Sequence, residues 1–426
     1  MRRSGRRSAL SSTHRGRDRS RGSARPFALC LAAAVAGALT CATLAGCDRS
    51  DAPPELTSWP VVATPQFPLG MQTDFAWLAT AQRDEVMLLG KPDAVHVAGR
   101  VTAICPVPAL DYGPATDAPV RFGFMIFHEC GVRYAGSYLR EGADEAEGCS
   151  LAIDGQLPPV RAATPVWPDE GDTGELVALI TGGEMPTPRP ADVQAEPPPW
   201  VTGTEVQLAW LQGEALVVGS PEALAGTDPW AMRAGKFAGQ EDNLLVCVYT
   251  QAPFDEVTRR RPWIYRVVVG DDGLPHLDPR WRGTSFARPF RDATFGDFTG
   301  TGEGEIAALE VTEDGGRALT AYLFEGFGLE GMAESVELPA VEDRLEAARW
   351  VGGNADELVV RTTDGRFLFF GLATDAGELR QVLEIDGPGG ILGWTITSAS
   401  GGEPGELLCV LANGEVWRTD SVQTRG

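Results

Sequence analysis

Short apolar runs that alternate with polar and glycine-rich turns recur along the chain and predict an all-β protein. Each run follows an aromatic residue and a few glycine or polar residues, and it begins at one acid or amide. Runs of this length bounded by turn residues are typical of β-strands. The acids and amides that begin the runs, here called the polar anchors, are Glu85, Glu175, Asn243, Glu305, Glu357 and Glu406.

Asp-Gly and Asn-Gly pairs between the runs predict tight β-hairpins. Asp364-Gly365 and Asn413-Gly414 each lie between alternating apolar residues, and similar turn sequences occur at 270–273 and 313–316. Both central positions of such a turn need positive φ, which Gly, Asn and Asp adopt most easily. Each repeat is therefore predicted to be a set of short antiparallel strands.

The spacing of the polar anchors predicts a β-propeller. The anchors are 90, 68, 62, 52 and 49 residues apart, and four-stranded propeller blades span about 40–50 residues. The widest gap has room for one more blade, with strands predicted at 95–104, 121–127 and 133–139. We therefore predict six or seven four-stranded blades over 71–426. Helical patterns are limited to a turn or two at 221–225 and 341–348.

Two features favour an alternative with two domains. Residues 96–165 lack the repeated pattern, and residues 185–200 are rich in proline, as linkers often are. The alternative is a small N-terminal β-domain at 71–184, a linker at 185–200 and a smaller propeller at 201–426.

One repeat carries a distinctive loop. Its sequence is Gly296-Asp297-Phe298-Thr299-Gly300-Thr301-Gly302-Glu303-Gly304-Glu305, and an apolar strand follows. It resembles the FG-GAP repeat of integrin-α-type β-propellers, in which Gly-Asp-Phe-Asn-Gly-Asp-Gly-x-x-Asp precedes a hydrophobic strand. The resemblance implies a propeller, and it extends over 237–417.

The same loop contains candidate ligands for a cation. Calcium takes six to eight oxygen ligands, and its affinity rises with the charge of those ligands. Asp297, Thr299, Thr301 and Glu305 would supply oxygens to a weak calcium site, because two hydroxyls stand where the family often has carboxylates. The alternative is a loop held by its glycines and backbone hydrogen bonds, with no cofactor.

The N-terminal region predicts export and lipid anchoring. Residues 1–46 combine nine arginines with an uncharged, apolar segment at 26–46, as signal peptides do. Leu44-Ala45-Gly46-Cys47 resembles the lipobox of bacterial lipoproteins, which implies that Cys47 carries acyl chains such as palmitate. An uncleaved anchor helix is the alternative. Residues 47–70 are then a flexible tether, and the protein is expected in the bacterial cell envelope, outside the cytoplasm and attached to a membrane.

The net charge of the chain limits the kinds of partner that it can bind. The net charge is −23, and removal of residues 1–46 lowers Lys plus Arg from 36 to 27 and Asp plus Glu from 59 to 58, which gives −31. An acidic surface disfavours nucleic acid, and it also keeps an exported protein soluble. Residues 258–263 form a short basic patch beside Trp263, which predicts either an anion-binding site or a charged strand edge.

The only concentration of His and Cys residues comprises His96, Cys105, His128, Cys130 and Cys149. The trio 128–130 is the closest candidate for zinc or copper, but CxxC and HxxxH spacings are missing. In an exported protein, a disulfide among Cys105, Cys130 and Cys149 is the favoured interpretation. Cys247 and Cys409 lie in apolar runs and are predicted to be buried.

No catalytic motif stands out, since the chain lacks a Gly-x-Ser-x-Gly elbow, a Walker loop and HExxH. We therefore predict a non-catalytic binding or scaffolding module for a protein or a glycan. Residues 413–417 also resemble the repeats of the propeller lipoprotein of the outer-membrane barrel-assembly machinery, which implies a role in envelope assembly. A propeller lyase, hydrolase or quinone-dependent dehydrogenase is the enzymatic alternative.

Overall fold

A computed structural model shows six β-sheets among the described residues, in which neighbouring strands are antiparallel except for one parallel pair in an eight-stranded sheet. Cys47, the signal segment at 1–46, the tether at 47–70, the proline-rich residues 185–200 and the predicted turns at 221–225 and 413–414 lie outside the described residues. The structure describes residues 79–82, 85–88, 95–96, 101–108, 120–139, 146–153, 157, 159–166, 176–182, 203–212, 215–220, 227–239, 242–251, 258–283, 286–350, 353–373, 377–398, 405–411 and 416–420.

Within these ranges the strands form seven consecutive meanders, here called blades one to seven. The first and last have three described strands, and the five between them have four. The strands are β1 Ala79–Gln82, β2 Glu85–Leu88 and β3 Val95–His96 in blade one; β4 Val101–Pro108, β5 Val120–His128, β6 Gly131–Leu139 and β7 Ala146–Ile153 in blade two; β8 Val160–Val166, β9 Leu176–Thr181, β10 Glu205–Gln212 and β11 Ala215–Val218 in blade three; β12 Thr227–Lys236, β13 Asp242–Gln251, β14 Thr258–Val269 and β15 Pro275–Arg282 in blade four; β16 Phe290–Gly296, β17 Glu305–Val311, β18 Arg317–Phe324 and β19 Leu329–Ser335 in blade five; β20 Glu346–Ala348, β21 Glu357–Arg361, β22 Arg366–Ala373 and β23 Glu378–Asp386 in blade six; and β24 Ile391–Ile396, β25 Glu406–Leu411 and β26 Val416–Asp420 in blade seven.

The first strands of successive blades lie next to one another. Contacts run from β1 to β4 and on through β8, β12, β16 and β20 to β24. Radial repetition of four-stranded meanders around inner first strands defines a β-propeller. The predicted all-β propeller is therefore confirmed, and the widest gap between anchors does contain an additional blade, β4 to β7.

The hydrophobic core is divided into layers between blades. One buried cluster joins blades five and six through Leu309, Leu319 and Leu358, and another joins blades six and seven through Trp350 and Trp394. Three similar clusters lie between blades two and three, three and four, and four and five. Strands such as β17 are apolar on both faces because each blade packs against two neighbours.

The polar anchors mark the same place in six blades. Glu85, Glu305, Glu357 and Glu406 each begin the second strand of a blade, Asn243 is the second residue of β13, and β9 begins directly after Glu175. Blade two lacks this mark, since β5 begins at Val120. The repeated pattern of the sequence is thus the passage from the first to the second strand.

Three of the predicted hairpin turns are present at 270–273, 312–316 and 362–366. Each is closed by a backbone hydrogen bond, and Gly273, Gly315 and Gly365 have φ of 75°, 87° and 100°. The expected helical turn at 341–348 is wrong: β20 occupies 346–348 and pairs with β21. Burial of Ala347 and Ala348 between blades outweighs the weak helical pattern. Among the described residues, no helix is long and apolar enough to span a membrane.

Candidate functional site

The blade-five loop, residues 297–304, connects β16 to β17 and is closed by its polar anchor. One carboxylate oxygen of Glu305, Oε2, accepts hydrogen bonds from the backbone N–H groups of Phe298 at 2.7 Å and Thr299 at 3.4 Å. The other, Oε1, accepts the hydroxyl hydrogen of Thr299 at 2.6 Å. Burial raises the pKa of Glu305, and these hydrogen bonds oppose the rise.

The same closure occurs in blade six, one repeat later. The backbone N–H of Trp350 donates to Glu357 Oε2 at 2.7 Å, as that of Phe298 does to Glu305. In blade four the amide of Asn243 donates instead to the carbonyl of Phe237, at 3.5 Å. An acid or amide at the start of the second strand therefore satisfies backbone groups that the tight loop would otherwise leave unpaired.

The blade-five loop also bonds to the blade-six loop, residues 349–356. The N–H of Asp297 donates to Asp356 Oδ2 at 2.9 Å, and the N–H of Asp356 donates to the carbonyl of Asp297 at 2.8 Å. Asp297 Oδ2 accepts the N–H of Gly302 at 2.9 Å, and the φ of 84° at that glycine points the N–H into the loop. The two aspartates are thus fixed against each other across the boundary between blades.

A single arginine lies against both aspartates. Arg349 Nη2 is 3.9 Å from Asp297 Oδ2, and Arg349 Nε is 3.7 Å from Asp356 Oδ1. Both aspartate side chains are 16% exposed and the arginine is 26% exposed. Burial raises the pKa of Asp356, while the backbone of Asp297 and the charge of Arg349 lower it.

The four predicted calcium ligands lie in this loop and at its end, but all of their side-chain oxygens except Asp297 Oδ1 are engaged by other groups of the protein. Both oxygens of Glu305 accept hydrogen bonds, and the Thr299 hydroxyl lies 2.9 Å from that of Thr301. Asp297 faces a guanidinium. Calcium needs six to eight oxygens, and within the described ranges no group of three or more His, Cys, Asp or Glu side chains is arranged to hold a metal. The residues do not fit a calcium ion in this arrangement.

Charged residues of the inner strands pair with one another. Asp292 on β16 is 3.1 Å from Arg233 on β12, and it accepts the N–H of Leu345 from blade six at 2.9 Å. Burial raises the pKa of Asp292, and Arg233 opposes the rise. Arg344 bonds Glu346 at 2.7 Å and lies 4.6 Å from the ring of Trp394. These contacts link four successive blades near the inner strands.

The basic patch at 258–263 is not an exposed anion site. It lies in the part of β14 that pairs with β13, and β15 pairs with β14 only from Trp263 onward. Arg260 is buried, donates to the carbonyl of Phe290 at 3.1 Å and lies 5.0 Å from the ring of Trp230. Arg261 is buried and donates to the carbonyl of Thr250. Both arginines act as internal hydrogen-bond donors.

The strand register does not bring the three candidate disulfide cysteines together. Cys105 on β4 and Cys149 on β7 lie on the first and last strands of blade two, three strand spacings of about 4.8 Å and hence about 14 Å or more apart. A disulfide needs Cα atoms within about 7 Å. Cys130 is exposed in the β5–β6 turn and donates its N–H to His128 Nδ1 at 3.3 Å. Cys247 and Cys409 are buried, as predicted.

Two surface features were not identified from the sequence. Phe327 is 98% exposed at the tip of the β18–β19 turn. This turn is tight: Glu325 N–H donates to the carbonyl of Gly328 at 3.0 Å, and Gly326 has a φ of 66°. A cleft of about 210 Å³ between blades three and four is lined by Trp210, Ser220, Asp272, Leu274 and His276, among others.

Comparison with protein-family models and with curated protein sequences finds no match. Solved structures with similar folds include a protein named as a 6-phosphogluconolactonase from Bacteroides uniformis, at 10% identity and a TM-score of 0.46 over 85% of this chain and 92% of that one. Another is Sqt1 of Saccharomyces cerevisiae, at 12% identity and a TM-score of 0.40 over 76% of this chain and 73% of that one. The assignment of the fold therefore rests on the strand topology.

Proposed function

We propose that this propeller is a lipid-anchored, extracytoplasmic binding module that docks a protein partner through the β18–β19 turn. The exposed side chain of Phe327 carries the proposal. Large aromatic side chains dominate the energy of many protein interfaces, and Phe327 is 98% exposed. The anchor at Cys47 would hold the module at the membrane surface.

The surroundings of Phe327 indicate the chemistry of the partner. Leu323, on β18 four residues before Phe327, is a second exposed apolar side chain, at 39% exposure. Glu325 and Glu330 flank the turn and are exposed. The matching surface is an apolar pocket with basic side chains around its rim, because opposite charges around a desolvated centre favour association.

Site-specific photocrosslinking tests this function. A benzophenone side chain replaces Phe327 in the full chain, the producing cells are irradiated, and adducts are identified by mass spectrometry. The control carries the same group at Val382 in blade six, which is 49% exposed. We expect one dominant protein adduct at 327 that the control lacks. An absence of adducts at 327, or identical adducts at both positions, would contradict the proposal.

The cleft between blades three and four favours glycan binding as a second candidate function. Trp210 is half-buried beside the exposed side chains of Asp272 and His276. An aromatic face next to hydrogen-bonding groups suits a sugar ring, since binding sites combine apolar walls with a few polar groups. A screen of immobilised oligosaccharides with wild type and Trp210→Ala tests this candidate. Hits that Trp210→Ala retains would exclude the cleft.

A further inference from the structure

We propose that the guanidinium of Arg349 is the built-in counter-ion of the blade-five loop, and that it fills the place of a divalent cation at the boundary between blades five and six. The site is therefore a latent cation site, which opens when the arginine is removed. This inference is independent of the proposed partner surface.

The charges at the site are balanced by Arg349. Asp297 and Asp356 are both largely buried; the N–H of Asp297 donates to the Asp356 carboxylate, and the N–H of Asp356 donates to the Asp297 carbonyl, so the two residues are held next to each other. Two like charges held close together in a low-dielectric site need an opposite charge to remain ionised. Among the described residues, Arg349 has a cationic group within 4 Å of both carboxylates.

The main chain of Arg349 is held in place by its neighbours. The backbone N–H of Arg349 donates to Ser398 Oγ of blade seven at 3.0 Å, so its main chain is fixed from the other side. Trp350, the next residue, is 1% exposed and bonded to Glu357 through its N–H. The guanidinium is therefore directed at the aspartates by a rigid backbone on an inter-blade boundary.

Two polar atoms at the same point have unused hydrogen-bonding capacity. Asp297 Oδ1 and Arg349 Nε are both buried, and within the described part of the chain neither has a hydrogen-bond partner. The ion-pair distances of 3.7 and 3.9 Å are longer than direct hydrogen bonds. The carboxylates thus retain lone pairs that a small hard cation would use if the guanidinium were absent.

Removal of the charge at constant shape tests the inference. The full chain and its Arg349→Met variant are melted with and without 5 mM calcium chloride, at an ionic strength matched with sodium chloride. The control is Arg380→Met, which removes the same charge from an exposed pair with Glu378. We expect Arg349→Met to melt lower than wild type and to regain at least about 3 °C with calcium. Wild type and Arg380→Met should shift by less than about 1 °C.

Two further variants keep the test decisive. Arg349→Met combined with Asp297→Asn should lose the response to calcium, because one of the two carboxylates is gone. Arg349→Lys keeps a cation and should show no response, and it serves if the methionine variant fails to fold. A calcium shift in wild type equal to that of the variants, a folded Arg349→Met that ignores calcium, or a response in Arg349→Lys would each overturn the inference.

Discussion

Replacement of Glu305 by alanine tests whether the polar anchors close the loops between first and second strands. In the native protein this carboxylate accepts the N–H groups of Phe298 and Thr299 and the Thr299 hydroxyl. Alanine removes all three acceptors at once. The hydrogen bond from the Phe298 N–H is buried, so water would reach this N–H poorly if Glu305 were removed.

The expected loss of stability follows from these contacts. One buried backbone donor left without an acceptor costs about 1–3 kcal/mol. The 3.4 Å contact of Thr299 N–H is weak, and the Thr299 hydroxyl can turn to Thr301, so both add little. Burial of the Glu305 carboxylate is itself unfavourable, as its raised pKa indicates, so its removal offsets part of this loss of stability. We expect a net destabilisation of about 2 kcal/mol.

Urea unfolding followed by circular dichroism measures this difference through the transition midpoint. Glu303→Ala is the matched control, since it removes the same charge from an exposed position of the same loop, where the effect should stay within about 0.5 kcal/mol. Glu305→Gln retains an acceptor for Phe298 and should cost less than Glu305→Ala. Equal midpoints for Glu305→Ala and Glu303→Ala would refute the closure of the loop by its anchor.

Four further predictions concern other parts of the chain. Cys130 should react with a thiol reagent in the folded protein while Cys409 does not, because burial raises the pKa of Cys409 to about 12; peptide mapping after alkylation measures this, and equal labelling would contradict it. The difference in free energy of unfolding between wild type and Asp292→Asn, measured by urea titration at several pH values, should fall as pH rises above about 4. Burial raises the pKa of Asp292 in the folded state above the usual 3.8, so the stability that this residue contributes is lost as pH rises through that pKa. A difference that does not change with pH would contradict a raised pKa. Gly304→Ala should cost about 1–3 kcal/mol or more, since its Cβ would lie 1.8 Å from the Lys236 carbonyl, whereas Gly328→Ala, with open space, serves as control. Cys47→Ser should release the protein from membranes, and continued sedimentation with membranes would exclude lipid anchoring.

Local chemistry made much of the fold predictable. Glu305, Glu357 and Glu406 could be recognised as strand starts because each is the last acid between a glycine-containing turn and an apolar run, and each does begin a second strand. The turn at 362–366 was predictable because Asp364-Gly365 needs positive φ at Gly365. Blade two could not be located by the same signal, since β5 begins with an apolar residue.

Contacts between blades could not be predicted from the sequence. Asp297 and Asp356 are 59 positions apart, and no local pattern connects them with Arg349. The buried Arg260 and Arg261 were misread for a related reason: charged residues are mostly exposed, and their acceptors, the carbonyls of Phe290 and Thr250, lie on other strands. Long-range packing decides which side chains face water. The exposure of Phe327 therefore could not be predicted from the sequence either.

The loops between first and second strands link blades as well as closing them. The N–H of Ala238 in blade four donates to the carbonyl of Gly304 in blade five at 2.7 Å. Blade six is bonded to blade five at Asp356 and to blade seven at Ser398, through the N–H of Arg349. Four successive blades are therefore joined by hydrogen bonds along a single series of loops. Asp297 serves two structural tasks in this series, because it bonds within its own loop at Gly302 and to the next blade at Asp356. The oxygen-rich sequence of such a loop therefore has a structural role even where no ion is bound.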